Sequence, residues 1–375
     1  VSLEAAQRAI EKLADAQRFT AVQLDARSES NIVALIKECD ADFVVNACDP
    51  RLNESIFNAC FTAGVHYMDM AMNLSTPHAT DPYNQVGEIL GHKQFSAHEA
   101  WISKGLLALV GMGVEPGLSD VFARYAADNL FDTIDEIGVR DGANLAIEGY
   151  DFAPTFSIWT TIEECLNPPL IWEKGRGIFT TDCFSESEIF HFPEGIGPIE
   201  CVNVEHEEVL LIPREIECNR VTFKYGLGNE FINWLKTFAY LGLDSATKIK
   251  VGDVHVAPRD VLAALLPNPA ELGHLMKGKT CAGTWIKGTH NGLPREVYLY
   301  HVADNEETMT KWGCQAVLWQ TAICPIVALE LLATGQWAHS GVRGPEAFAA
   351  EPYLELLSAY GSPHGMVEMG EGKWP

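Results

Sequence analysis

Three apolar runs in the first third of the chain each end in polar or small residues that could contact a bound ligand. The runs end at Asn46-Ala47-Cys48-Asp49-Pro50, at Asp69 and at Gly113-Val114-Glu115-Pro116-Gly117. A buried strand that is followed by a helix points its carboxyl end to the same edge of a parallel sheet as its neighbours do. Ligands bind in the crevice outside that edge. The three strand ends therefore predict one rim of a crevice that holds a dinucleotide.

The polar groups at these strand ends suit a cofactor, and each also has an ordinary structural interpretation. Small residues after Asn46 let the backbone approach a ligand closely, or they form a simple turn from strand to helix. The helix expected after Gly117 has free N–H groups at its positive end, which favour an anion or a carboxamide. Glu115 and Asp69 could orient such a group, or they could serve as buried caps of a turn.

Length and charge limit the classes of protein to which this chain can belong. With 375 residues it exceeds a typical single domain, which predicts two domains. The formal net charge is −25, from 51 acidic and 26 basic residues. Nucleic-acid binding is therefore not expected, because phosphate contacts need clustered Lys and Arg. Residues 316–333 form the longest apolar run, but Gln320, Pro325 and Glu330 interrupt it, so no membrane partner is expected.

Ten cysteines are spread through apolar segments, and no two of them form a CxxC pair. This spacing disfavours a zinc site, and we expect no bound metal. Free thiols of this kind are typical of a reducing cytoplasm, where we expect the protein to reside.

The elements that must position these residues alternate between helix and strand up to residue 132. Helices are predicted over residues 2–13, 31–39, 51–63, 93–104 and 118–130, and strands over residues 19–26, 42–46, 65–70 and 106–111. This alternation predicts an α/β domain with a Rossmann-like, doubly wound parallel sheet. No GxGxxG turn precedes these units, so we expect roughly 25 to 35 further residues, with the first strand, turn and helix, upstream of Val1.

The pattern changes after residue 132, where strands follow one another with few helices between them. Strands are predicted over residues 134–140, 200–213, 220–227, 280–289 and 296–302, with a helix within 152–166 and a long one over 314–334. Such a succession predicts an inserted α+β domain with a mainly antiparallel sheet. We therefore assign residues 1–131 and 313–350 to a cofactor-binding domain, residues 132–312 to a substrate-binding domain, and residues 351–375 to a C-terminal arm.

Six segments occur in the order and spacing of a known family. They are Asp25-Ala26-Arg27-Ser28, Val44-Val45-Asn46-Ala47, Tyr67-Met68-Asp69, Gly113-Val114-Glu115-Pro116-Gly117-Leu118-Ser119-Asp120, Val204-Glu205-His206-Glu207-Glu208-Val209 and Trp319-Gln320-Thr321. With them the chain resembles the saccharopine dehydrogenase family over most of its length, with one departure, since relatives often carry Asp where this chain has Glu115. The family includes saccharopine reductases, lysine 6-dehydrogenase and carboxynorspermidine dehydrogenase. These enzymes move a hydride between a nicotinamide and a carbon–nitrogen bond of an amino acid derivative.

The resemblance implies NAD or NADP as the cofactor and places residues around it. Asp25 and Ala26 would lie at the adenine, although Asp25 could instead be the N-terminal cap of a helix. Ser2 would lie where the ribose 2′ position is recognised. The remaining cofactor-binding residues that the resemblance implies are Asn46, Ala47, Cys48, Asp49, Pro50, Asp69, Gly113, Val114, Glu115, Pro116, Gly117 and Gln320.

Chemistry at a carbon–nitrogen bond needs a group that exchanges a proton near neutral pH, and histidine is the usual choice. His206 is the first candidate, because the acids beside it would raise its pKa. It could equally be a surface histidine in an acid-rich strand. Glu115 and Asp69 complete the predicted catalytic set.

A saccharopine-like substrate carries carboxylates, which Arg and Lys bind. Arg140, Arg214, Lys224 and Arg295 lie in or beside predicted strands of the second domain, and each could instead be a plain ion-pair partner. Tyr150 is a further candidate for substrate binding, since it precedes the helix that is expected to face the crevice.

The first expectation for the function is saccharopine dehydrogenase activity on a small amino-acid substrate. Alternatives within the family are lysine 6-dehydrogenase and carboxynorspermidine dehydrogenase activity. An alternative of another class is a non-catalytic protein that senses NAD(P). Relatives assemble through the sheet of the second domain, so the resemblance also implies a homodimer.

Overall fold

The computed structural model describes residues 3–370, which form two main sheets with helices packed against them. Ser2, a predicted cofactor contact, lies outside the described residues. The strands are β1 Phe43–Asn46, β2 His66–Asp69, β3 Leu107–Leu109, β4 Thr133–Ala143, β5 Ala146–Ile147, β6 Leu170–Glu173, β7 Gly177–Thr180, β8 Glu188–Phe192, β9 Gly197–Asn203, β10 Arg220–Gly226, β11 Ile249–Val251, β12 Val254–Val256, β13 Met276–Lys277, β14 Lys279–His290, β15 Leu293–Asp304, β16 Gly341–Arg343 and β17 Gly365–Glu368. The helices are α1 Leu3–Glu11, α2 Glu29–Glu38, α3 Asn53–Ala63, α4 His92–Ser96, α5 His98–Ser103, α6 Leu118–Asn129, α7 Ile158–Leu166, α8 Glu208–Glu215, α9 Gly228–Leu241, α10 Pro258–Leu265, α11 Asn305–Trp312, α12 Ala316–Ala333 and α13 Glu351–Ala359.

The first sheet has the strand order β1-β2-β3-β16, and all of its strands are parallel. β3 is buried on both faces, as expected for a parallel sheet that is covered by helices. α3 ends at Gly64, whose left-handed backbone (φ 81°) turns the chain directly into β2. The carboxyl ends of β1, β2 and β3 therefore meet at one edge, and the predicted Rossmann-like sheet is confirmed.

Residues 19–26 form no strand, so that prediction is wrong. Within residues 3–370, β1 pairs only with β2 and has no strand on its other side. Phe19 and Val22 are about half exposed, at 50% and 52%. An alternating apolar pattern becomes a strand only where a neighbouring strand takes up its backbone hydrogen bonds. Lacking such a neighbour among the described residues, this segment stays irregular.

The second sheet has the order β17-β15-β14-β4-β10-β6-β7, and β9 pairs with both β10 and β8. Every pair is antiparallel except β4 with β10, which confirms the predicted mainly antiparallel sheet. β14 and β15 form a long hairpin through Asn291 and Gly292. Both residues have positive φ, which is the backbone that a tight two-residue hairpin turn requires.

The register of the second sheet decides which side chains share a face. In β4 and β10, Arg140 lies opposite Lys224 and Asp141 lies opposite Tyr225. Ala282 of β14 lies on the other side of Asp141. Successive side chains of a strand point to opposite faces. Asp141, Tyr225 and Ala282 therefore share one face, and Arg140 and Lys224 share the other.

The strand predicted over residues 200–213 is wrong in its second half. β9 ends at Asn203 and α8 begins at Glu208. The apolar residues 209–212 are all buried, and a short buried run fits a helix as well as a strand. The helix predicted over residues 93–104 is also divided, into α4 and α5.

Residues 351–370 are built into the fold and do not form a loose arm. α13 buries Tyr353, Leu354 and Leu357 and packs against α12. β17 pairs with β15 at the edge of the second sheet. α12 packs against β14 and β15, whereas β16 joins the first sheet, so the segment predicted over residues 313–350 contributes to both sheets.

Among the described residues, α12 is the one helix that is long and apolar enough to cross a membrane by length and composition alone. Core helices of soluble proteins pass the same test. Cys324, Val327 and Ala328 of α12 are fully buried in the core.

Replacing Gly117 by Ala is expected to lower the free energy of unfolding by about 3 kcal/mol or more. Gly117 has a φ of 132°, and a Cβ there would lie 2.1 Å from the backbone oxygen of Gly113. Urea unfolding followed by circular dichroism measures the loss. Gly64→Ala is the matched control, because its φ is also positive but a Cβ would meet nothing within 4 Å. Its expected cost is about 1 kcal/mol, and equal losses in the two variants would contradict the crowding at Gly117.

Candidate active site

A cleft of about 400 Å³ opens on the face of the second sheet that carries Asp141 and Tyr225. Val114, in the turn that follows β3 of the first sheet, forms part of its wall. The residues that line the cleft are Val114, Asp141, Ala143, Leu145, Ala146, Ile147, Tyr150, Asp151, Ala153, Pro154, Thr155, Phe156, Thr161, Tyr225, Gly226, Leu227, Phe231, Thr280, Ala282, Val317 and Gln320. Among these described residues there is no Lys, Arg or His, so the charged groups of the lining are carboxylates.

Glu115 and Asp141 bring two carboxyl groups together beside the cleft. Their side chains are hydrogen-bonded to each other, and Oε1 of Glu115 accepts a 3.2 Å hydrogen bond from the backbone N–H of Gly283. Burial, followed by the charge of Asp141, raises the pKa of Glu115 well above its usual range. Burial also raises the pKa of Asp141 to about 6. The pair can therefore hold a shared proton near neutral pH.

His206 lies behind the cleft and is only 1% exposed, so it is not a surface histidine. It belongs to the loop between β9 and α8, not to a strand. Its Nδ1 lies 2.5 Å from Oε2 of Glu208, and its Nε2 lies 3.2 Å from the Tyr225 hydroxyl. Burial alone would lower the pKa of His206, but the charges of Glu208, Glu207 and Glu164 raise it to about 10. The histidine is therefore an imidazolium at neutral pH.

The loop that carries His206 joins the two sheets through buried carboxylates. Glu205 accepts hydrogen bonds from Ser75 (2.8 Å) and Asn167 (2.9 Å). Glu207 accepts from the backbone N–H of Met72 at 3.2 Å, and Glu208 accepts from the Ser119 hydroxyl at 2.7 Å. Ligand atoms of His206, Glu207 and Glu208 lie within 4.8 Å of one another, a spacing that could hold a metal ion. The direct bond from His206 to Glu208 already pairs these groups without one.

Tyr225 is a site residue that the sequence analysis missed. It lines the cleft, approaches His206 through its hydroxyl, and donates to Oε2 of Glu164 at 3.3 Å. Burial raises the pKa of Glu164 to about 8. The one signal for Tyr225 in the sequence is its position next to Lys224, a residue predicted to bind substrate. Neighbouring residues of a strand point to opposite faces, so Tyr225 faces away from Lys224.

Asp69 and Asn46 are satisfied inside the first sheet and are not part of the cleft lining. Asp69 accepts hydrogen bonds from the Gly111 backbone N–H (2.7 Å), the Tyr67 hydroxyl (2.8 Å) and the Gln94 amide (2.6 Å). Burial raises its pKa to about 7. Asn46 donates to Asn53 at 2.7 Å and to the Tyr67 hydroxyl at 3.0 Å. Both residues hold the strand ends in place, and the predicted proton transfer by Asp69 has no support from this position.

The carboxyl edge of the first sheet exposes residues to which a dinucleotide could bind. Ala47 and Cys48 are exposed directly after β1, and Val114 faces the cleft after β3. Asp49 accepts from the Arg51 backbone N–H and also pairs with the Arg51 side chain, which fixes the short 3-10 turn that begins at Pro50. The edge therefore fits a nicotinamide cofactor, held by residues 47–49 and the turn at Val114, which would supply or accept a hydride.

Other predicted cofactor residues occupy different positions. Asp25 is exposed and pairs with Arg27, while Ala26 packs against the core. The backbone N–H of Gly113 donates to the Pro116 oxygen, and the backbone N–H of Gly117 donates to the Asp120 carboxylate on α6. Gln320 lines the cleft, and its amide donates at 3.0 Å to the backbone oxygen of His301.

The four basic residues predicted for substrate binding do not line this cleft, and their contact with substrate stays a prediction. Arg140 is buried on the opposite face and pairs with Glu188 at 2.5 Å, and Lys224 pairs with the same carboxylate at 3.2 Å. Arg214 lies over the ring of Phe95, and Arg295 pairs with Glu368 at 2.6 Å. Tyr150 does line the cleft, and its contact with substrate stays a prediction.

Family models match nearly the whole chain. Residues 1–109 match the saccharopine dehydrogenase NADP binding domain, and residues 113–362 match the saccharopine dehydrogenase C-terminal domain. The resemblance and the nicotinamide cofactor predicted from the sequence are therefore confirmed.

Three relatives with known names align over most of the chain. Carboxynorspermidine synthase from Vibrio alginolyticus is 32% identical over 358 residues, which cover 95% of this chain and 85% of the relative. The enzyme of the same name from Vibrio cholerae is 31% identical with the same coverage. Carboxyaminopropylagmatine dehydrogenase from Synechocystis is 28% identical, covering 92% of this chain and 85% of the relative.

Two solved structures share the fold. Saccharopine dehydrogenase (L-Glu forming) from Saccharomyces cerevisiae has a TM-score of 0.69 at 12% identity, covering 98% of this chain and 93% of its own. Homospermidine synthase from Legionella pneumophila, solved in complex with NAD, has a TM-score of 0.62 at 15% identity, covering 96% of this chain and 83% of its own. At these identities the structures establish the fold alone.

The buried acids predict that the protein is more stable near pH 5 than near pH 8. Asp69, Glu164 and Glu205 have pKa values raised by burial to about 7, 8 and 7, so the folded chain keeps protons that the unfolded chain releases at about pH 4. The free energy of unfolding therefore falls as pH rises through this window. His206 acts in the same direction, because its stabilisation is complete below its unfolded pKa of about 6.5 and is lost as pH approaches 10.

The variant Glu164→Gln tests this assignment. Its unfolding free energy, measured in urea from about pH 5 to about pH 8, should fall less steeply than that of the wild type, by up to about 1.4 kcal/mol per pH unit. Glu217→Gln is the control, because Lys174 lowers the pKa of that exposed carboxyl and its removal cannot flatten the slope. An unchanged slope in Glu164→Gln would contradict the assignment.

Proposed function

The chain belongs to the saccharopine dehydrogenase family, and from that premise we propose that it is a nicotinamide-dependent oxidoreductase acting on the carbon–nitrogen bond of a carboxylated polyamine. By this we mean a chain of methylene and amine groups that bears a carboxylate. The activity corresponds to the carboxynorspermidine dehydrogenase alternative among the expected functions. It replaces saccharopine dehydrogenase activity as the first expectation.

The charge of the cleft is the observation that supports this proposal. Asp141 and Asp151 are in the lining, Glu115 is bonded to Asp141, and none of the described lining residues is basic. Amines of a polyamine are cations at neutral pH, and carboxylates are their natural partners. Saccharopine carries several carboxylates, which would meet these acids without a compensating Arg or Lys.

The shape of the cleft favours the same substrate class. Ala143, Leu145, Ala146 and Phe231 give the wall an apolar character between the acids. Methylene segments of a polyamine can lie along such a wall while its charged ends contact the carboxylates. The names of the aligned relatives, carboxynorspermidine synthase and carboxyaminopropylagmatine dehydrogenase, describe compounds of this kind.

The decisive measurement compares substrates in one assay. The purified protein is supplied with NAD⁺ or NADP⁺ and with carboxynorspermidine, saccharopine or lysine, and the absorbance of the reduced nicotinamide is followed. We expect the highest kcat/KM with carboxynorspermidine. A higher value with saccharopine would contradict the proposal. Binding of NADPH without turnover of any of the three would instead support the cofactor-sensing alternative.

Replacing Asp141 by Asn should weaken recognition of the amine. The change removes one charged partner in the cleft, and we expect KM for carboxynorspermidine to rise by about 10- to 100-fold. The dissociation constant of NADPH, measured by fluorescence, should stay unchanged. Asp135→Asn is the matched control, since Asp135 is on the same strand but is exposed and contacts Asn219. Similar KM values for the two variants would contradict the proposal that the acidic residues of the cleft recognise the amine.

A further inference from the structure

One cleft residue, Tyr225, touches both the space for a substrate and a buried series of polar groups. Its hydroxyl lies 3.2 Å from Nε2 of His206. Nδ1 of His206 lies 2.5 Å from one oxygen of Glu208, and the other oxygen of Glu208 accepts a 2.7 Å hydrogen bond from Ser119. The cleft is therefore connected to the interior by continuous hydrogen bonds.

Aromatic packing fixes the positions of these groups. The His206 ring stacks on Phe223 with centroids 3.7 Å apart and planes 4° from parallel. Tyr225 meets the His206 ring edge-on, at 5.6 Å and 82°. Phe223 and Tyr225 are two residues apart in β10 and so share a face. His206 is held behind Tyr225, and a group in the cleft reaches the imidazole through the tyrosine hydroxyl.

The charge of His206 sets the direction of the hydrogen bonds. An imidazolium donates from both ring nitrogens, so Nδ1–H points to Glu208 and Nε2–H points to the Tyr225 oxygen. Tyr225 thus accepts from His206 and keeps its own proton for Glu164 or for a group in the cleft. Burial and the charges of Glu164, Asp141 and Glu115 raise the pKa of Tyr225 well above its usual range. Among the described residues, these carboxyl groups and Cys165 face it from α7, β4 and the turn before α6, and His206 faces it from the loop between β9 and α8.

We propose that Tyr225 is the catalytic acid and base that exchanges a proton with the substrate nitrogen, and that His206 and Glu208 are positioning residues that supply this proton. The inference rests on the proposed function and deepens it. In the predicted catalytic set, His206 had the role that the structure assigns to Tyr225.

A reduced nicotinamide, held by residues 47–49 and the turn at Val114, would supply a hydride to the substrate carbon, and the proton transfer balances that hydride. As the second electron pair of the C=N bond moves to the nitrogen, the nitrogen takes the proton of the Tyr225 hydroxyl. The phenol oxygen takes the Nε2 proton of His206. The imidazole becomes neutral, and its Nδ1–H stays hydrogen-bonded to Glu208. The net result is one C–H bond and one N–H bond formed, and one proton lost by the imidazolium. Oxidation of the amine runs through the same groups in reverse.

The variant Tyr225→Phe tests the catalytic role. We expect kcat for carboxynorspermidine to fall by about 100-fold or more, as for loss of a general acid. KM should change by less than about 3-fold, and NADPH binding, measured by fluorescence, should match the wild type. Tyr240→Phe is the control, because Tyr240 is 90% exposed on α9. A Tyr225→Phe variant that keeps kcat within about 3-fold of the wild type would overturn the inference.

The positioning role of Glu208 has a readout that needs no cofactor. In ¹⁵N-histidine spectra of the unliganded protein, His206 should be an imidazolium near pH 8, and in Glu208→Gln it should lose its proton at a pH lower by about 1 to 3. The alkaline limb of the kcat profile should move to lower pH in the same variant. A neutral His206 in the wild type near pH 8, or an unmoved alkaline limb, would refute the role, even if Tyr225→Phe failed to fold.

The two levels of the proposal fail in different ways. Wild-type protein that turns over none of the three substrates overturns the proposed function and this inference with it. Turnover of carboxynorspermidine that survives in Tyr225→Phe overturns the inference alone.

Discussion

The burial of four consecutive polar residues, Glu205 to Glu208, is the constraint on which the rest of the structure depends. A buried charge is tolerated only when hydrogen bonds or an opposite charge replace its lost water. The partners here come from Met72 and Ser75 after β2 of the first sheet, from Ser119 on α6 and from Tyr225 on β10. Each bond ties a different element to the same short loop. These bonds hold segments of both sheets against one loop behind the cleft.

The two sheets could be predicted from the sequence because each has its own pattern. Buried runs that alternate with helices marked the parallel sheet, and consecutive strands marked the antiparallel one. Residues 19–26 show where this approach fails. Their alternation is that of a strand, but pairing depends on a neighbour, which a local pattern does not contain. The strand prediction for residues 209–212 failed for another reason. Four consecutive apolar residues show no hydrophobic periodicity that distinguishes a helix from a strand.

The site was harder to predict because it depends on which alternate residues of a buried strand face the cleft. β10 reads Val221, Thr222, Phe223, Lys224, Tyr225, and both of its faces are covered, so polarity alone does not tell which face borders the cleft. Lys224 and Arg140, chosen for their charge, lie on the face away from the cleft, and their neighbours Tyr225 and Asp141 are the residues that line it. His206 was found from its acidic neighbours, but its position behind Tyr225 follows from the packing of Phe223. Outside the cleft, Arg140, Lys224 and Arg295 pair with carboxylates, and Arg214 lies over the ring of Phe95.

Because the whole chain has an excess of acidic residues, it attracts cations to the acid-lined cleft from distances longer than direct contact. With a formal net charge of −25, the protein attracts cations from solution before they touch it. At physiological ionic strength this attraction extends over a Debye length of about 8 Å, so added salt would slow the capture of a cationic ligand more than its release. The phosphates of a dinucleotide meet the opposite situation. They approach against the same field, so their binding depends on local attraction at the sheet edge.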